Sequence, residues 1–319
     1  MHWAKFSRVR FNPKICNPDF AYYVLSSNKF QTILKNLNIG AAQPSIRVPH
    51  FINQSILIPS LEEQGKIADI LGTLDDKIEL NRQMNQTLEA MARAIFKSWF
   101  VDFDPVYAKM EGRDYPLPPE IMDLFPDELE ESELGLIPKG WRVGGLGEII
   151  EIHDSKRIPL SKKERSERKG KFPYYGATKI VDFVDDYLFD GVFLLVGEDG
   201  SVINDEGYPF LQYVWGQFWA NNHAHVLNGK NGFSTEYVYL LLKKTNISPF
   251  ITGAVQLKLN QENMKSIPII LPPQNMLIHF SNEINEYFSK IKNNDEQIEI
   301  LTRLRELLLP KLINGLLEI

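Results

Sequence analysis

His223 and His225 stand two residues apart. On a strand that spacing puts both imidazoles on one face, where they could share a metal ion. No third ligand stands nearby in the sequence, so the pair reads as hydrogen-bonded structural histidines. Glu198, Asp199, Asp205 and Glu206 loosely resemble a nuclease carboxylate cluster. They surround Gly200 and Gly207, which favours solvated turns. Gly144-Gly145-Leu146-Gly147 lacks the spacing of a dinucleotide-binding loop. Neither a Ser-His-Asp arrangement nor a phosphate loop is present. The single cysteine, Cys16, excludes a disulfide framework and a multi-cysteine zinc site. The expectation is a chain with no catalytic residues, no metal and no cofactor of its own. An autonomous metal-dependent nuclease built on the acidic cluster is a competing reading.

A different chemistry is better supplied. Residues 156–179 hold nine Lys or Arg against Glu164 and Glu167, a local balance of +7. Lys156, Arg157, Lys162, Lys163, Arg165, Arg168, Lys169 and Lys171 are suited to phosphate contacts, which give affinity without sequence information. Base choice needs side chains that reach groove edges, typically Arg or Lys to guanine and Asn or Gln to adenine. Arg157, Lys179, Gln212, Gln217 and Gln256 are the candidates by residue type, with Lys258 beside them. Tyr174 and Tyr175 would lean on sugars or bases, or simply pack. The alternative for the whole run is a solvated basic loop.

The elements that would position these residues come in two copies. Gly40-Ala41-Ala42-Gln43 recurs as Gly253-Ala254-Val255-Gln256, and Ile56-Leu57-Ile58-Pro59 as Ile269-Ile270-Leu271-Pro272, both at an offset of 213. Phe20-Ala21-Tyr22-Tyr23-Val24-Leu25 resembles Tyr237 to Leu242 at an offset of 217, a difference that fits one loop of changed length. A long helix follows each copy. In the first, one seam is Ile67, Leu74, Asn81, Leu88 and Ile95, and the other is Leu71, Ile78, Asn85, Ala92 and Trp99. Eight of these ten are apolar, as a coiled-coil seam requires. Adding 213 gives Phe280, Tyr287, Asn294, Leu301 and Leu308, then Ile284, Ile291, Ile298, Arg305 and Leu312, again with eight apolar. Ser60 and Glu63 form a capping box after Pro59. Helices over 61–99 and 274–309 would be roughly 50–60 Å long and should pair antiparallel to cover their seams. Asn81 and Asn294, at equivalent positions, either fix the register or lie solvated near mid-helix.

The predicted fold class is α+β: a mixed α/β domain with a curved sheet, plus two long helices as an antiparallel coiled coil. Val192 to Val196 and His223 to Leu227 read as strands, and Tyr237 to Lys243 and Asn263 to Ser266 as short helices. Residues 102–135 read as an acidic, proline-rich linker with short turns rather than a core. Over 100–135, eleven acids face Lys109 and Arg113, a balance of −9. Residues 1–50 carry seven bases and only Asp19, a balance of +6. The net charge of −6 therefore conceals two basic segments, and local field decides whether a phosphate backbone is attracted. No apolar run approaches the roughly 20 residues of a membrane span, residues 1–20 lack the apolar core of a signal peptide, and a lone cysteine suits the cytoplasm.

Several tracts resemble the specificity subunits of type I restriction-modification systems. They are Gly40 to Ile46, Ile58 to Gln64, Leu74-Asp75-Asp76-Lys77-Ile78, Phe100 to Pro105, Gly135-Leu136-Ile137-Pro138-Lys139-Gly140-Trp141, Tyr174 to Thr178, and Asn221 to Leu227. The resemblance covers most of the chain. It implies two target-recognition domains, each reading half of a split DNA site. An antiparallel pair of helices holds them apart and docks methyltransferase (M) subunits. Those subunits use S-adenosylmethionine to methylate adenine, and a translocating restriction (R) subunit adds ATP-driven, Mg2+-dependent cleavage. In these terms residues 1–58 are a C-terminal remnant of the first recognition domain, 59–101 the first helix, 102–135 the linker, 136–272 the second recognition domain and 273–319 the second helix. The counterpart of residues 136 to about 215 is missing ahead of the first helix. The expectation is either a homodimer, so that two whole domains read a symmetric site, or a fragment whose remnant a partner completes. The remnant's apolar residues (Phe20, Tyr22, Tyr23 and Phe30) would otherwise lack a core. A structural adaptor that binds M subunits but no DNA is the third function class in competition.

Overall fold

The computed structural model describes residues 9–37, 46, 48–56, 58–253 and 255–317. The tract Gly40 to Gln43, Arg47, Leu57, Ala254 and the first bases of the N-terminal segment lie outside them. In chain order the elements are α1 (Pro18–Ser26), α2 (Asn28–Asn36), α3 (Val48–Ile52), α4 (Leu61–Phe100), α5 (Asp104–Met110), α6 (Pro119–Met122), β1 (Leu129–Ser132), β2 (Gly135–Pro138), β3 (Arg142–Gly145), β4 (Ile150–Ile152), α7 (Lys162–Glu167), β5 (Lys169–Tyr175), β6 (Ile180–Val184), β7 (Phe189–Gly197), β8 (Leu211–Ala220), β9 (Ala224–Gly229), α8 (Thr235–Leu242), α9 (Gln261–Lys265), β10 (Pro268–Leu271) and α10 (Gln274–Ile313). Two compact units divide the chain. One takes residues up to Thr87 with those from Lys290 on; the other is Leu88–Ser289.

In the first unit the early part of α4 lies against the late part of α10. Asp75 meets Arg305 at 2.6 Å, Asn81 meets Gln297 at 3.2 Å and Asn85 meets Asp295 at 2.8 Å. Numbers rise on one helix as they fall on the other, so the pair is antiparallel. None of the twenty heptad positions is exposed. Asn81 and Asn294 are each 1% exposed, and the Asn294 amide donates to Asn85 Oδ1 at 2.8 Å. They form a buried polar layer in the seam, as the register reading requires, and are not solvated. A buried amide of this kind disfavours registers that leave it unpaired.

Of the remnant's apolar residues, Phe20 and Tyr23 find a core on the long helices. Phe20, Ala21, Tyr23 and Val24 of α1 bury against Ile67, Ala68 and Leu71 of α4 and Leu312 of α10. Phe30 is buried as well, and Tyr22 alone of the four named aromatics remains exposed. Asn17 caps α1 through the amides of Asp19 and Phe20. Helix α10 runs past Pro310, beyond the expected end near 309. Proline removes one backbone donor, and the seating of Leu312 in this core holds the last turn.

In the second unit the late part of α4 and the early part of α10 share an aromatic core. Phe96 and Phe100 contact Phe280 and Tyr237, with ring centroids 4.9–5.9 Å apart. Glu89 accepts from Tyr239 Oη at 2.9 Å and Lys243 Nζ at 3.0 Å, fastening α8 to α4. The acidic segment is more ordered than a linker. Val106 and Phe125 are buried, and Phe125 packs edge-on against Trp99 at 5.5 Å.

The main sheet has the order β4-β9-β7-β8-β5-β6, antiparallel except for β5 with β8. Phe189 at the start of β7 pairs with Phe218, while Gly197 at its end pairs with Ala224. Six residues of chain therefore join partners at opposite ends of one strand, which forces the open sheet to coil. Gly191 and Gly216 face each other at the bend with φ of 132° and 75°, values that favour glycine. Leu195, Val214, Phe218 and Val226 fill part of the curve.

Candidate nucleic-acid interface

The basic run does not present a uniform positive surface. Ser161 and Glu164 form the capping box that starts α7. From there Arg165 reaches Asp182 at 3.4 Å with its guanidinium 5.1 Å over the Tyr174 ring. Arg168 pairs with Asp185 at 2.9 Å and lies 4.9 Å from the Trp219 ring centre. Lys169 pairs with Asp182. Acids distant in sequence thus neutralise much of the local +7. Lys156, Lys162, Lys171 and Lys179 remain exposed without a carboxylate partner among the described residues. Lys163 reaches only Glu167, at 4.0 Å.

Arg157 is the clearest correction. Its side chain is 10% exposed. It donates to Glu198 at 2.7 Å and to the Ala224 carbonyl at 2.6 Å, and lies 3.3 Å from Asp154. A guanidinium so committed cannot reach a guanine edge, because withdrawing it would leave buried carboxylates unpaired. His225 completes the cluster, with Nδ1 2.6 Å from Asp154 Oδ2 and Nε2 2.7 Å from the Leu259 carbonyl. Gln261 donates to Asp154 at 2.6 Å. Burial by itself would raise the Asp154 carboxyl, but the hydrogen bond and charge of His225, the Val226 amide and Arg157 together bring it below its ordinary range.

The ligand atoms of Asp154, Glu198 and His225 lie within 4.8 Å of one another. Carboxylates that looked too few in the sequence therefore do gather around His225, although Arg157 already supplies a cation there. His223 and His225 are not joined in one site. His223 is half exposed and turns to Asp199 at 2.5 Å. Asp154 has no sequence signal, because it lies 71 residues from His225.

Other candidates are also committed to structure. Tyr174 is 1% exposed, and its hydroxyl accepts from the Leu160 amide at 2.9 Å, so it packs rather than touching a base. Tyr175 packs on Phe218 at 5.6 Å. Gln212 donates to the carbonyls of Gly176 and Ala177 at 3.0 and 3.2 Å, bracing that turn. Gln217 is exposed and donates to Asp190. Gln256 lies in a narrow loop closed by reciprocal bonds of 2.8 Å between Thr252 and Lys258. There Gly253 has φ of 88°, and Val255 beside Gln256 is fully exposed.

One end of the sheet forms an open cleft of about 490 Å³, lined by Leu160, Tyr174, Gly176, Asp199, Asn221 and His223 among others. Strands β5 and β8 run parallel and finish side by side, Tyr175 against Ala220. Their following turns therefore emerge together. The loop carrying Gln256 adjoins them through the bridge between Asp199 and Lys258. The arrangement offers uncommitted polar side chains on a braced frame with lysines close by.

Residues 4–90 and 138–308 match the family described as the type I restriction modification DNA specificity domain. The chain belongs to this family. It is 30% identical to the type I restriction enzyme MjaIX specificity subunit of Methanocaldococcus jannaschii, covering 94% of this chain and 69% of that one. It is 28% identical to the HindI specificity subunit of Haemophilus influenzae, covering 98% and 80%. The fold is similar to the crystal structure of a type I restriction-modification S subunit from M. genitalium, with a TM-score of 0.53, 19% identity, and coverage of 94% and 74%. As in that family, the chain is a DNA specificity subunit, and its long helices pack together beside a mixed α/β domain.

Proposed function

We propose that this chain selects the DNA site at which separate M subunits methylate adenine and an R subunit cleaves. It contributes no catalytic group, and S-adenosylmethionine, ATP and Mg2+ belong to the partners. The family match is the observation that carries this reading. The lysines exposed near the cleft support it, since phosphate contacts dominate affinity for DNA. Among the described residues no helix is long and apolar enough to cross a membrane. Neither of the relatives named above recommends the nuclease or the adaptor reading.

The described part of the first unit contains helices and no strand of the main sheet. A second copy of this chain is the proposed source of the other half-site reader. The deciding experiment is methylome sequencing of cells that carry this chain with its M partner. One recurrent adenine motif, absent when the chain is deleted, is expected. Unchanged methylation on deletion overturns the reading. Metal-dependent cleavage by the purified chain would favour the nuclease, and M binding without DNA protection would favour the adaptor.

A further inference from the structure

We propose that Asn222 and His223, in the turn between β8 and β9, discriminate among base pairs, and that Asp199 orients the His223 ring for this task. The proposal rests on the DNA-reading function above and goes beyond it in naming the residues and the base edges they fit.

A base reader must be exposed, must keep its hydrogen-bonding atoms uncommitted within the protein, and must be held in place before the duplex arrives. Arg157, Tyr174 and Gln212 fail the second condition, as their bonds above show. The turn 221–223 meets all three. Asn222 is exposed, and its side chain has no hydrogen bond among the described residues. His223 is half exposed, and only its Nδ1 is engaged.

The backbone of the turn is fixed from three sides. The Asn221 amide donates to the Tyr175 carbonyl at 3.1 Å, the Glu198 amide to the His223 carbonyl at 2.9 Å, and the His223 amide to Asn221 Oδ1 at 2.9 Å. Next to it, Ala224 and His225 are tied into the Arg157 cluster. That cluster therefore positions the turn without reaching the cleft mouth. Across the cleft, Lys179 closes the turn that begins at Gly176, its carbonyl accepting from the Gly176 amide at 2.9 Å. Lys258 flanks the Asp199 side through its bridge to that residue. Lys179, exposed and without a carboxylate partner among the described residues, is available to a phosphate that borders a groove, whereas Lys258 Nζ lies 3.6 Å from Glu198.

The chemistry of the two side chains narrows the edge they fit. With Nδ1 turned to Asp199 at 2.5 Å, the His223 ring leaves Nε2 for a base edge, as an acceptor in the tautomer that gives the Nδ1 hydrogen to Asp199. An acceptor in the major groove meets the exocyclic amino group of adenine or cytosine. A free carboxamide such as Asn222 is the bidentate match to adenine N6 and N7. The turn is thus built for base pairs that present an amino edge, and adenine satisfies both residues.

The test uses the chain in complex with its M subunit, with selection from a random DNA library and methylome sequencing as readouts. For the wild type, one preferred motif is expected. In Asn222→Ala and in His223→Ala, preference at one position each should fall about tenfold or more, the loss of one good base contact. Affinity for random DNA should stay within twofold, and the melting temperature should not move, because both side chains are exposed. Asp199→Asn should relax the same position as His223→Ala and no other, which a merely structural role would not do. An unchanged motif in all three variants overturns the proposal while leaving the DNA-reading function standing. A wild-type complex with no preference for any sequence overturns both.

Discussion

At the scale of single residues, the buried cluster around Arg157 shows why residue type misleads. An arginine in a basic run looks like a phosphate or guanine ligand. Here it neutralises Asp154 and Glu198, which lie 3 and 41 residues away. Arg157→Met should destabilise the chain by ~3–5 kcal/mol, the cost of leaving buried carboxylates uncompensated, measured by urea denaturation. An effect below 1 kcal/mol would show the cluster to be dispensable. Asp154 adds a pH signature. Its folded carboxyl lies below the ordinary value, so the folded state favours the ionised form. The resulting stabilisation is complete above the ordinary Asp value of about 4 and is lost as pH falls below it. The stability gap between wild type and Asp154→Asn should therefore narrow from pH ~5 to pH ~2. A gap that widens on acidification would contradict the assignment.

At the scale of elements, both long helices were legible because a 3.5-residue repeat survives inspection without any knowledge of the partner. Their seams carry the same frame, and the structure keeps every seam position out of full exposure. The polar layer tests the register argument. With Asn81→Val and Asn294→Val together, the helix pair should gain stability while losing its single alignment. Spin labels at Gln83 and Glu299 should then change from one distance to a broad distribution. One narrow distance in the variant would remove the register role. In the sequence α1 is legible only as an apolar remnant, because its core lies on Ile67, Leu71 and Leu312. Phe20→Ala should cost ~3–5 kcal/mol, far more than truncation of the exposed Ile300.

At the scale of the whole molecule, the 213-residue repeat is an organisational fact. Helix α9, 213 residues beyond α3, has the same five-residue length. Helices α1 and α8, which carry the repeated aromatic tract, each pack on long-helix seams within their own unit. The proposed second copy predicts a dimer in sedimentation at micromolar concentration, and a strict monomer on DNA would remove it. The exposed lysines predict a further response. Lys162→Glu with Lys163→Glu should weaken specific and random DNA alike and reduce the slope of log affinity against log salt by roughly 2. An unchanged slope would take both residues off the phosphate backbone.

The sequence by itself determined the two paired helices, the repeat, the mixed α/β domain between them and the family. All of these are written as periodicity or as contiguous tracts. It did not determine the site. The central strand β8 carries no clear alternation, since the coiled sheet buries Val214 and Phe218 on one side and Trp219 on another. Whether a cation is free or spent depends on acids brought beside it from elsewhere in the chain, as Asp182 is to Arg165 and Lys169. Only folding sets those distances, because electrostatic pairing acts through space and leaves no trace in local order.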